Sequence, residues 1–329
     1  MNTKLKYPAI STITTPKSRP FWSVMITSYK RTQYLGEVIK SLLDQNIDED
    51  EMQIEVVDDH SPNYQEIEKI VQEVGKGRVN FYHQPENVGI YANWNTCIQR
   101  ASGNWIHILS DDDLVHSNFY QIYRNTIETY EPSVVIAKSL FINEKGKKIG
   151  VSPSLQESDG LLNNALRVLA AHNVIRTPGI VVCRTAYEKL GGFTSDFVFA
   201  PDWEMWTRLA ASVKISYINQ PLSSFRLHEA SESSRLTFTG EFVTDTLEAA
   251  KLIHSRVTNP QDRKAIKAEL NQVLSKASYV YSQKLVNKNL YKPSLTLAIW
   301  SLRLKPSSKG IKNLIKVLIK FLKGSIFKQ

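Results

Sequence analysis

Short apolar runs alternate with longer amphipathic segments along the first third of the chain. Four runs have the length and β-branched content of buried strands, and they lie at 22–28, 52–61, 78–84 and 104–110. In three intervening segments apolar side chains recur every three or four residues, as on one helix face, at 32–45, 64–74 and 91–103. This alternation predicts an α/β fold with a mixed, mainly parallel Rossmann-like sheet, which binds ligands beyond the carboxyl ends of its strands.

The second half of the chain is less regular. Further strands are predicted at 133–143, 147–152, 177–184 and 214–218, and a helix at 201–212. From about Gly240 the pattern is helical to the end. The expected organisation is an α/β domain over 21–235, a helical extension over 236–304 and a final helix over 305–329. Residues 1–20 lack a continuous apolar run, so they predict a flexible arm rather than a signal peptide.

The amino-acid composition indicates the broad class of protein. Of the 329 residues 42% are hydrophobic and 22% charged, which is typical of a soluble globular protein. Cys97 and Cys183 lie within apolar runs without metal-ligand spacing, so neither a disulfide framework nor a zinc site is expected. No window reaches the roughly 18 apolar residues of a membrane-spanning helix. A cytoplasmic protein is therefore predicted.

The net charge of +9 belongs to the end of the chain. Residues 291–329 hold nine Lys or Arg and no Asp or Glu, whereas the rest of the chain is formally neutral. Within 310–328 the lysines and the apolar residues fall on different faces of a predicted helix. This pattern favours a peripheral contact with an anionic membrane on the inner face of the cell membrane. The alternative is a helix packed on its own domain. Nucleic-acid binding is not expected, because no aromatic side chains are interleaved with the lysines.

Polar residues follow three of the predicted strands. Tyr29 comes after the first strand, Asp58 and Asp59 end the second, and three carboxylates at 111–113 follow the strand at 104–110. The topology should bring all of them to one edge of the sheet. No GxGxxG motif follows the first strand, which argues against a dinucleotide site. The three adjacent carboxylates predict either a solvated turn or a site for a positive charge.

Seven segments, in order and at these separations, resemble the family 2 glycosyltransferases of the GT-A fold. They are MITSYKR, VVDDHS, NVGIYANWN, ASGNWIHILSDDD, LGGF, PDWEMWTRLA and FRLHEASESS, and they cover roughly residues 21–235. The resemblance implies transfer of a sugar from a nucleotide-sugar to a hydroxyl, with inversion at the anomeric carbon. It also implies that Mn or Mg holds the diphosphate.

The resemblance assigns roles to the carboxylates at 111–113. Ser110 stands where many members of the family have the first acidic residue of the metal motif. The assignment is therefore Asp112 as principal metal ligand, with Asp111 and Asp113 as its supports and Asp111 also near the ribose and phosphate.

The same resemblance predicts the nucleotide site. Tyr29 would stack on the base, and Asp58 or Asp59 would accept a hydrogen bond from N3–H, which a uracil or thymine ring offers. Thr27 and Arg31 of the first motif and Asn87 of the third complete the predicted nucleotide contacts, along with Asp111. For Asn87 a structural role in a turn is an equal alternative.

Three residues of the last two motifs are predicted to act in transfer. Asp202 matches the catalytic carboxylate, and Glu204, two positions on, should face away from it on a helix. Arg226 and His228 lie two apart in a Ser-rich segment that looks flexible. In an extended chain both would face one side. They are predicted to close over the diphosphate or, for His228, to reach the metal.

The leading hypothesis is a metal-dependent inverting transferase that moves a sugar from a UDP- or dTDP-sugar to a glycan or lipid-linked acceptor in polysaccharide biosynthesis. A sugar-phosphate nucleotidyltransferase is an alternative, although the glycine-rich loop expected of one is missing from TSYKRTQY. The other alternative is a non-catalytic membrane-bound scaffold of the same fold.

Overall fold

The computed structural model describes residues 7–14, 18–228, 237 and 239–326. These residues form two compact units. The first takes the described residues up to 165 together with 174–196 and 208–227. The second takes 166–173, 197–207 and the described residues from 228 onwards.

The first unit begins with strands and helices in alternation, as the apolar pattern predicts. In chain order these are β1 (Trp22–Ser28), α1 (Leu35–Leu43), β2 (Met52–Asp58), α2 (Tyr64–Gly75), β3 (Asn80–His83), α3 (Ile90–Arg100) and β4 (Trp105–Ser110). They continue with β5 (Leu114–Val115), α4 (Phe119–Tyr130), β6 (Val134–Ile142), β7 (Lys148–Val151) and β8 (Gly160–Leu161). After α5 (Ala165–Leu169) the chain continues with β9 (Ile180–Cys183), α6 (Arg184–Leu190), α7 (Pro201–Ala210) and β10 (Ile215–Arg226). Most of α5 and of α7 belongs to the second unit.

The described strands form one mixed sheet. Its order is β3-β2-β1-β4-β9-β6-β10-β5, with β7 beside β6 and β8 beside β10. The pairs β1–β2, β1–β4, β2–β3 and β6–β10 are parallel and hold most of the paired residues. The central strands are buried on both faces, and Val24, Ile26 and Val56 pack with Leu35 of α1 and Ile67 of α2. The prediction of a mixed, mainly parallel sheet is confirmed.

Strand β10 is longer than the sequence predicts. A short strand at 214–218 followed by a flexible segment was expected, but the strand runs from Ile215 to Arg226. Its register against β6 shifts on both sides of Pro221. Proline has no N–H for the ladder, and these irregularities accommodate it without ending the strand. Residues 229–234 of the Ser-rich segment lie outside the described residues.

Residues 7–14 are held against the first unit, which differs from the flexible arm predicted for 1–20. The amide of Gly192 donates to the Pro8 carbonyl at 2.7 Å, and Gln99 Nε2 donates to the Ala9 carbonyl at 2.7 Å. The guanidinium of Arg208 lies 3.7 Å from the centre of the Tyr7 ring. These contacts depend on distant partners, so the local sequence could not reveal them.

The second unit is built mainly from four helices. They are α8 (Glu241–Ser255), α9 (Pro260–Asn287), α10 (Tyr291–Leu304) and α11 (Ser308–Ile326). Asn259 caps α9 by accepting the Gln261 amide at 2.8 Å, and Pro260 occupies the first turn.

The boundary predicted near residue 235 does not separate the two packing units. Residues 166–173 and 197–207 pack with the C-terminal helices rather than with the sheet. The ring of Trp203 is buried in the same core as Phe242, Leu270 and Leu297, which lie in helices far along the chain. In the described part of the chain, no helix is long and apolar enough to cross a membrane.

Candidate active site

The carboxyl ends of β1, β2 and β4 meet at one edge of the sheet. Hydrogen bonds continue the pairing past the strand ends, since the Asp59 amide donates to the Ser28 carbonyl at 2.9 Å and the Asp111 amide to the Thr27 carbonyl at 3.1 Å. Tyr29 follows β1 directly. The predicted convergence of the aromatic ring and the two acidic segments is therefore present in the first unit.

The residues Asp111, Asp112 and Asp113, here called the carboxylate triplet, form the turn after β4. They are 4%, 7% and 1% exposed, which excludes a merely solvated turn. A positive charge lies among them, because Arg31 Nη1 is 2.6 Å from Asp111 Oδ1 and 2.6 Å from Asp112 Oδ2. The sequence placed Arg31 beside the nucleotide, and the structure pairs it with the triplet.

Crowding of buried carboxylates perturbs their ionisation. Burial raises the pKa of Asp111 to about 7; the guanidinium of Arg31 opposes this rise and the charge of Asp112 adds to it. Burial, with a further contribution from Asp112, also raises the pKa of Asp113 well above its usual range. Burial and neighbouring negative charge thus disfavour the ionised forms of Asp111 and Asp113 in the metal-free protein.

The donor atoms of the triplet suit a hard divalent cation. Mg²⁺ is usually held by one or two carboxylates and completes its shell with water and the phosphate oxygens of a substrate. Asp113 Oδ2 is a buried carboxylate oxygen without a hydrogen-bond partner among the described residues. No three His, Cys, Asp or Glu side chains converge on one point in the part of the chain that the structure describes. The residues therefore fit a metal that shares its coordination with an anionic substrate.

Arg226 holds the triplet from the opposite side. It ends β10 with its side chain 1% exposed, its amide donates to Asp113 Oδ1 at 2.9 Å, and its Nε donates to the Asp112 carbonyl at 2.8 Å. Nη2 pairs with Glu37 Oε2 at 2.9 Å, and the guanidinium lies 4.1 Å from the centre of the Tyr34 ring. The structure thus gives Arg226 a fixed supporting position instead of the mobile one expected, and its contact with a diphosphate stays a prediction.

Asp58 is fully buried at the end of β2. Its Oδ2 accepts the Ser61 amide at 2.9 Å and lies 2.7 Å from His83 Nδ1, and its Oδ1 accepts a short hydrogen bond from the Ser61 hydroxyl. The carboxylate therefore fixes the turn after β2 and the ring at the end of β3. Neither His83 nor Ser61 was singled out in the sequence.

Asp59 organises the next turn. It accepts the Val88 amide at 2.8 Å, the Gly89 amide at 3.0 Å and Asn87 Nδ2 at 3.0 Å. Burial raises the pKa of Asp59, and the two amide donors oppose the rise. Gly89 has φ of 85°, a conformation that favours glycine. Asn87 therefore has the structural role that was considered as the alternative, and its contact with the nucleotide stays a prediction.

Tyr29 is 41% exposed, and Lys30 Nζ lies 4.5 Å from the centre of its ring. An exposed ring beside the two acidic turns is available for stacking. Its contact with a base stays a prediction.

Asp202 lies in the first turn of α7, within the second unit. Its Oδ2 accepts a hydrogen bond from Asn173 Nδ2 at 2.8 Å, and its Oδ1 accepts the Trp203 amide at 2.7 Å. Asp245 Oδ2 accepts the amides of Phe199 and Ala200 at 2.8 and 3.0 Å, which fixes the chain just before α7. These side chains hold Asp202 in a defined position.

The neighbours of Asp202 have structural roles. Glu204 is fully buried and forms a salt bridge with Arg256, the residue that follows α8, so it faces away from Asp202 as predicted. Trp203 donates from Nε1 to the Leu169 carbonyl at 2.7 Å and lies in the helical core. His228, the remaining predicted metal ligand, is a buried residue of the second unit.

Asn95 links two motifs that the sequence left separate. Its Nδ2 donates to the Phe193 carbonyl at 2.9 Å, and its Oδ1 accepts the Phe193 amide at 2.7 Å. A Cβ at Gly192 would lie 2.2 Å from Asn95 Oδ1, so the approach requires glycine there. The paired glycines of LGGF were the available signal of a close contact.

Comparison with known proteins identifies the family. The model of "Glycosyl transferase family 2" matches residues 23–191, just over half of the chain. The chain belongs to glycosyl transferase family 2. This family 2 member is a glycosyltransferase with the GT-A-like fold that the sequence predicted.

Two relatives define what the transferase is similar to. It is 29% identical over 126 residues to the minor teichoic acid biosynthesis protein GgaB of Bacillus subtilis (strain 168), an alignment that spans 37% of this chain and 14% of GgaB. The chain thus matches only a small part of that relative's length. The crystal structure of S. aureus TarS 1–349 in complex with UDP-GlcNAc has a TM-score of 0.61 at 16% identity, covering 92% of each chain.

A third likeness is to the mannosyltransferase PcManGT from Pyrobaculum calidifontis, in complex with GDP-Man and Mn²⁺. Its TM-score is 0.51 at 18% identity, covering 94% of this chain and 91% of that chain. At these identities the two solved structures show a common fold.

Proposed function

We propose that this transferase is an inverting enzyme that moves a sugar from a UDP- or dTDP-sugar to a hydroxyl, with a divalent cation and with Asp202 as general base. The observation that carries the proposal is the buried carboxylate triplet at the carboxyl edge of the sheet in a family 2 member. Buried carboxylates with raised pKa values, such as Asp111 and Asp113, are expected where a dication and a diphosphate bind.

The choice of uracil or thymine as the nucleobase of the donor rests on the acidic turn after β2. Asp58 and Asp59 follow β2 at the sheet edge where Tyr29 follows β1, and only an acceptor suits the N3–H of uracil or thymine. The likeness to TarS bound to UDP-GlcNAc supports a uridine donor, whereas PcManGT bound to GDP-Man shows that this fold also serves guanosine. The identity of the nucleobase therefore depends on Tyr29 and on Asp58 or Asp59 rather than on the fold.

In the proposed transfer step, the proton of the acceptor hydroxyl passes to Asp202. The acceptor oxygen attacks the anomeric carbon, the bond from that carbon to the diphosphate oxygen breaks, and the hydroxyl proton passes to the carboxylate of Asp202. Mn²⁺ or Mg²⁺, when bound, neutralises the charge that develops on the leaving diphosphate. Asp112, Asp113 and His228 are its proposed ligands, and Thr27, Tyr29, Arg31, Asn87, Asp111 and Arg226 are proposed to line the nucleotide and phosphate path.

A thermal-shift screen of UDP-, dTDP- and GDP-sugars, with and without Mn²⁺, tests the donor. Stabilisation that needs both Mn²⁺ and a UDP- or dTDP-sugar is expected, because a ligand that binds only the folded state raises its stability. A larger shift with GDP-sugars would contradict the choice of base. Release of nucleoside diphosphate by the same samples separates an enzyme from a scaffold, and consumption of nucleoside triphosphate would indicate a nucleotidyltransferase.

Asp202→Asn tests the general base. Donor binding should be retained while transfer falls by about 10²- to 10⁴-fold, the range for loss of a general base. Asp262→Asn is the matched control, because Asp262 is also a first-turn carboxylate, at the start of α9. It reproduces the loss of a favourable helix-dipole interaction without touching the proposed base. Near-normal turnover in Asp202→Asn would remove it from this role.

We also propose that α11 attaches the enzyme to an anionic membrane, where a glycan or lipid-linked acceptor is available. One face of α11 packs against α9 and α10 through Val317 and Leu314. A second face exposes a continuous apolar stripe, formed by Ile311, Ile315, Leu318, Ile319 and Leu322. Beside this stripe lies a row of lysines, Lys312, Lys316 and Lys320. Packing against α9 and α10 uses only one face of α11, so packing on the protein and contact with a membrane are compatible.

The relative GgaB, a minor teichoic acid biosynthesis protein, supports a surface glycan as the acceptor.

Sedimentation with anionic and neutral vesicles tests the membrane contact. Serine at positions 315, 318 and 322 should abolish sedimentation with anionic vesicles, and glutamine at the three lysines should weaken it in a salt-dependent way. Val273→Ser with Val280→Ser is the matched control, since both are exposed apolar residues of α9 in the same unit. Unchanged sedimentation of the triple serine variant would contradict the proposal.

A further inference from the structure

Arg31 occupies a position in the carboxylate triplet that a bound cation would also need. Its Nη1 bridges Asp111 Oδ1 and Asp112 Oδ2 at 2.6 Å each. Asp112 is the proposed principal metal ligand, so the guanidinium and a dication would compete for the same carboxylate. Two positive centres cannot share it closely, because their repulsion grows as water is excluded.

The backbone beside Arg31 is fixed while the side chain has freedom. The Lys30 amide donates to Ser61 Oγ at 2.6 Å, and Lys30 takes φ of 61°, so the turn after β1 is anchored to the turn after β2. The side chain of Arg31 is 24% exposed, in contrast to that of Arg226, which is 1% exposed. Arg31 can therefore reorient without moving the strand that carries it.

The remaining donors of Arg31 are available for an anion. Both of its hydrogen bonds come from Nη1, and within the described ranges Nε and Nη2 make none. A guanidinium binds phosphate oxygens through paired N–H groups. A diphosphate that approached the triplet could thus take over Arg31 as the carboxylates are released.

We propose that Arg31 is an exchangeable counter-ion. It neutralises Asp111 and Asp112 in the donor-free protein, keeps a dication from binding there alone, and moves to the donor's diphosphate when the dication enters. Metal and donor therefore bind as a pair. The diphosphate half of this inference rests on the proposed function, whereas the exclusion of the dication does not.

Binding of Mn²⁺ to the full chain, followed by the EPR signal of free Mn²⁺, tests the exclusion directly. Without nucleotide, Arg31→Gln should bind Mn²⁺ at least about tenfold more tightly than the unmodified protein. Addition of UDP should tighten Mn²⁺ binding strongly in the unmodified protein and much less in Arg31→Gln, because coupling between two ligands is lost when the group that links them is removed. An unchanged or weaker affinity of Arg31→Gln for Mn²⁺ alone would overturn the proposal.

Two further variants keep the test decisive. Arg31→Lys retains the positive charge and should bind Mn²⁺ as weakly as the unmodified protein; behaviour like that of Arg31→Gln would also contradict a counter-ion. Arg124→Gln is the matched control, because it removes an arginine paired with Glu51 away from the triplet, and it should leave Mn²⁺ affinity unchanged.

The melting temperature gives an independent readout. Arg31→Gln should melt lower without metal and recover with Mn²⁺ by more than the unmodified protein does. An equal Mn²⁺-induced shift in both proteins would contradict the proposal. If UDP has no effect on any variant while Mn²⁺ alone binds as expected, the uridine donor is wrong and the counter-ion role stands.

Discussion

Two groups of carboxylates at the same edge of the sheet differ in their hydrogen-bond partners. Asp58 and Asp59 accept backbone and side-chain donors that belong to the turns they hold. The carboxylate triplet is equally buried, but it shares Arg31 and leaves one oxygen of Asp113 without a partner in the described ranges. Carboxylates whose oxygens accept several turn donors therefore build the turns, whereas Asp113 keeps a buried oxygen to which a ligand could bind.

The largest effect on activity is expected from Asp112→Asn. Loss of the principal metal ligand should lower transfer by about 10³-fold, since a metal contributes several kcal/mol to stabilising the leaving group. Nucleoside diphosphate release with saturating donor and Mn²⁺ measures the change. Asp48→Asn, at an exposed carboxylate of the same unit, is the control and should be neutral. Activity above a tenth of the unmodified rate would contradict the metal role.

Substitutions in the two carboxylate groups, Asp58 and Asp59 on one hand and the carboxylate triplet on the other, should change stability in opposite directions. Asp58→Asn should lower the free energy of unfolding by about 2–3 kcal/mol, because a buried charged acceptor and its donors are disrupted. Asp113→Asn should raise it in the metal-free protein, because burial and the neighbouring charge of Asp112 favour the neutral form. Urea unfolding at neutral pH measures both. If both variants were destabilised to the same degree, the two groups would not differ as described.

The pH dependence of stability should carry the same signature. The pKa of Asp111 is raised to about 7 in the folded protein, so the folded state binds more protons than the unfolded chain between about pH 4 and pH 7. The contribution of Asp111 to stability therefore falls as pH rises through this window. Asp111→Asn should flatten the metal-free profile of urea midpoint against pH. Saturating Mn²⁺ should offset the fall near pH 7, because a metal binds the ionised carboxylate. If the urea midpoint of Asp111→Asn fell with pH as steeply as that of the unmodified protein, the pH dependence would not come from Asp111.

The smallest effect is expected at Glu37, which pairs with Arg226. Glu37 is 60% exposed on its side chain, so Glu37→Gln should cost less than about 1 kcal/mol of unfolding free energy. Arg226→Gln should cost considerably more, because it removes the buried Nε donor to the Asp112 carbonyl and leaves that carbonyl without it. Similar urea midpoints for the two variants would show that Arg226 supports the triplet less than its contacts indicate.

Much of the fold was predictable because it follows from local periodicity. The strand and helix pattern from β1 to β4 requires only the burial of apolar faces, and parallel winding then brings Asp58, Asp59 and the triplet to one edge. The extent of β10 and the position of residues 7–14 were not predictable. Both depend on partners distant in sequence, such as β6 for the strand and Gln99 for the arm.

The candidate site shows the same division. Residue types and motif order marked Asp111, Asp112 and Asp113 as a charge cluster, and the likeness of Asp202 to the family's carboxylate marked the candidate base. Their hydrogen-bond partners were not predictable, since Asn173 reaches Asp202 from 29 positions away and Arg31 reaches the triplet from 80 and 81.

The sequence by itself determined which segments become strands and helices, which charges stand together, and that the tail carries the excess positive charge. Those properties belong to neighbouring residues, so a linear pattern contains them. Only the folded structure shows which arginine is partly exposed and which is buried, since the Arg31 side chain is 24% exposed on a turn and that of Arg226 is 1% exposed at the end of β10. It also decided that one face of α11 packs while another stays exposed. Burial and charge pairing are set by atoms brought together across the chain, and only the folded protein contains that information.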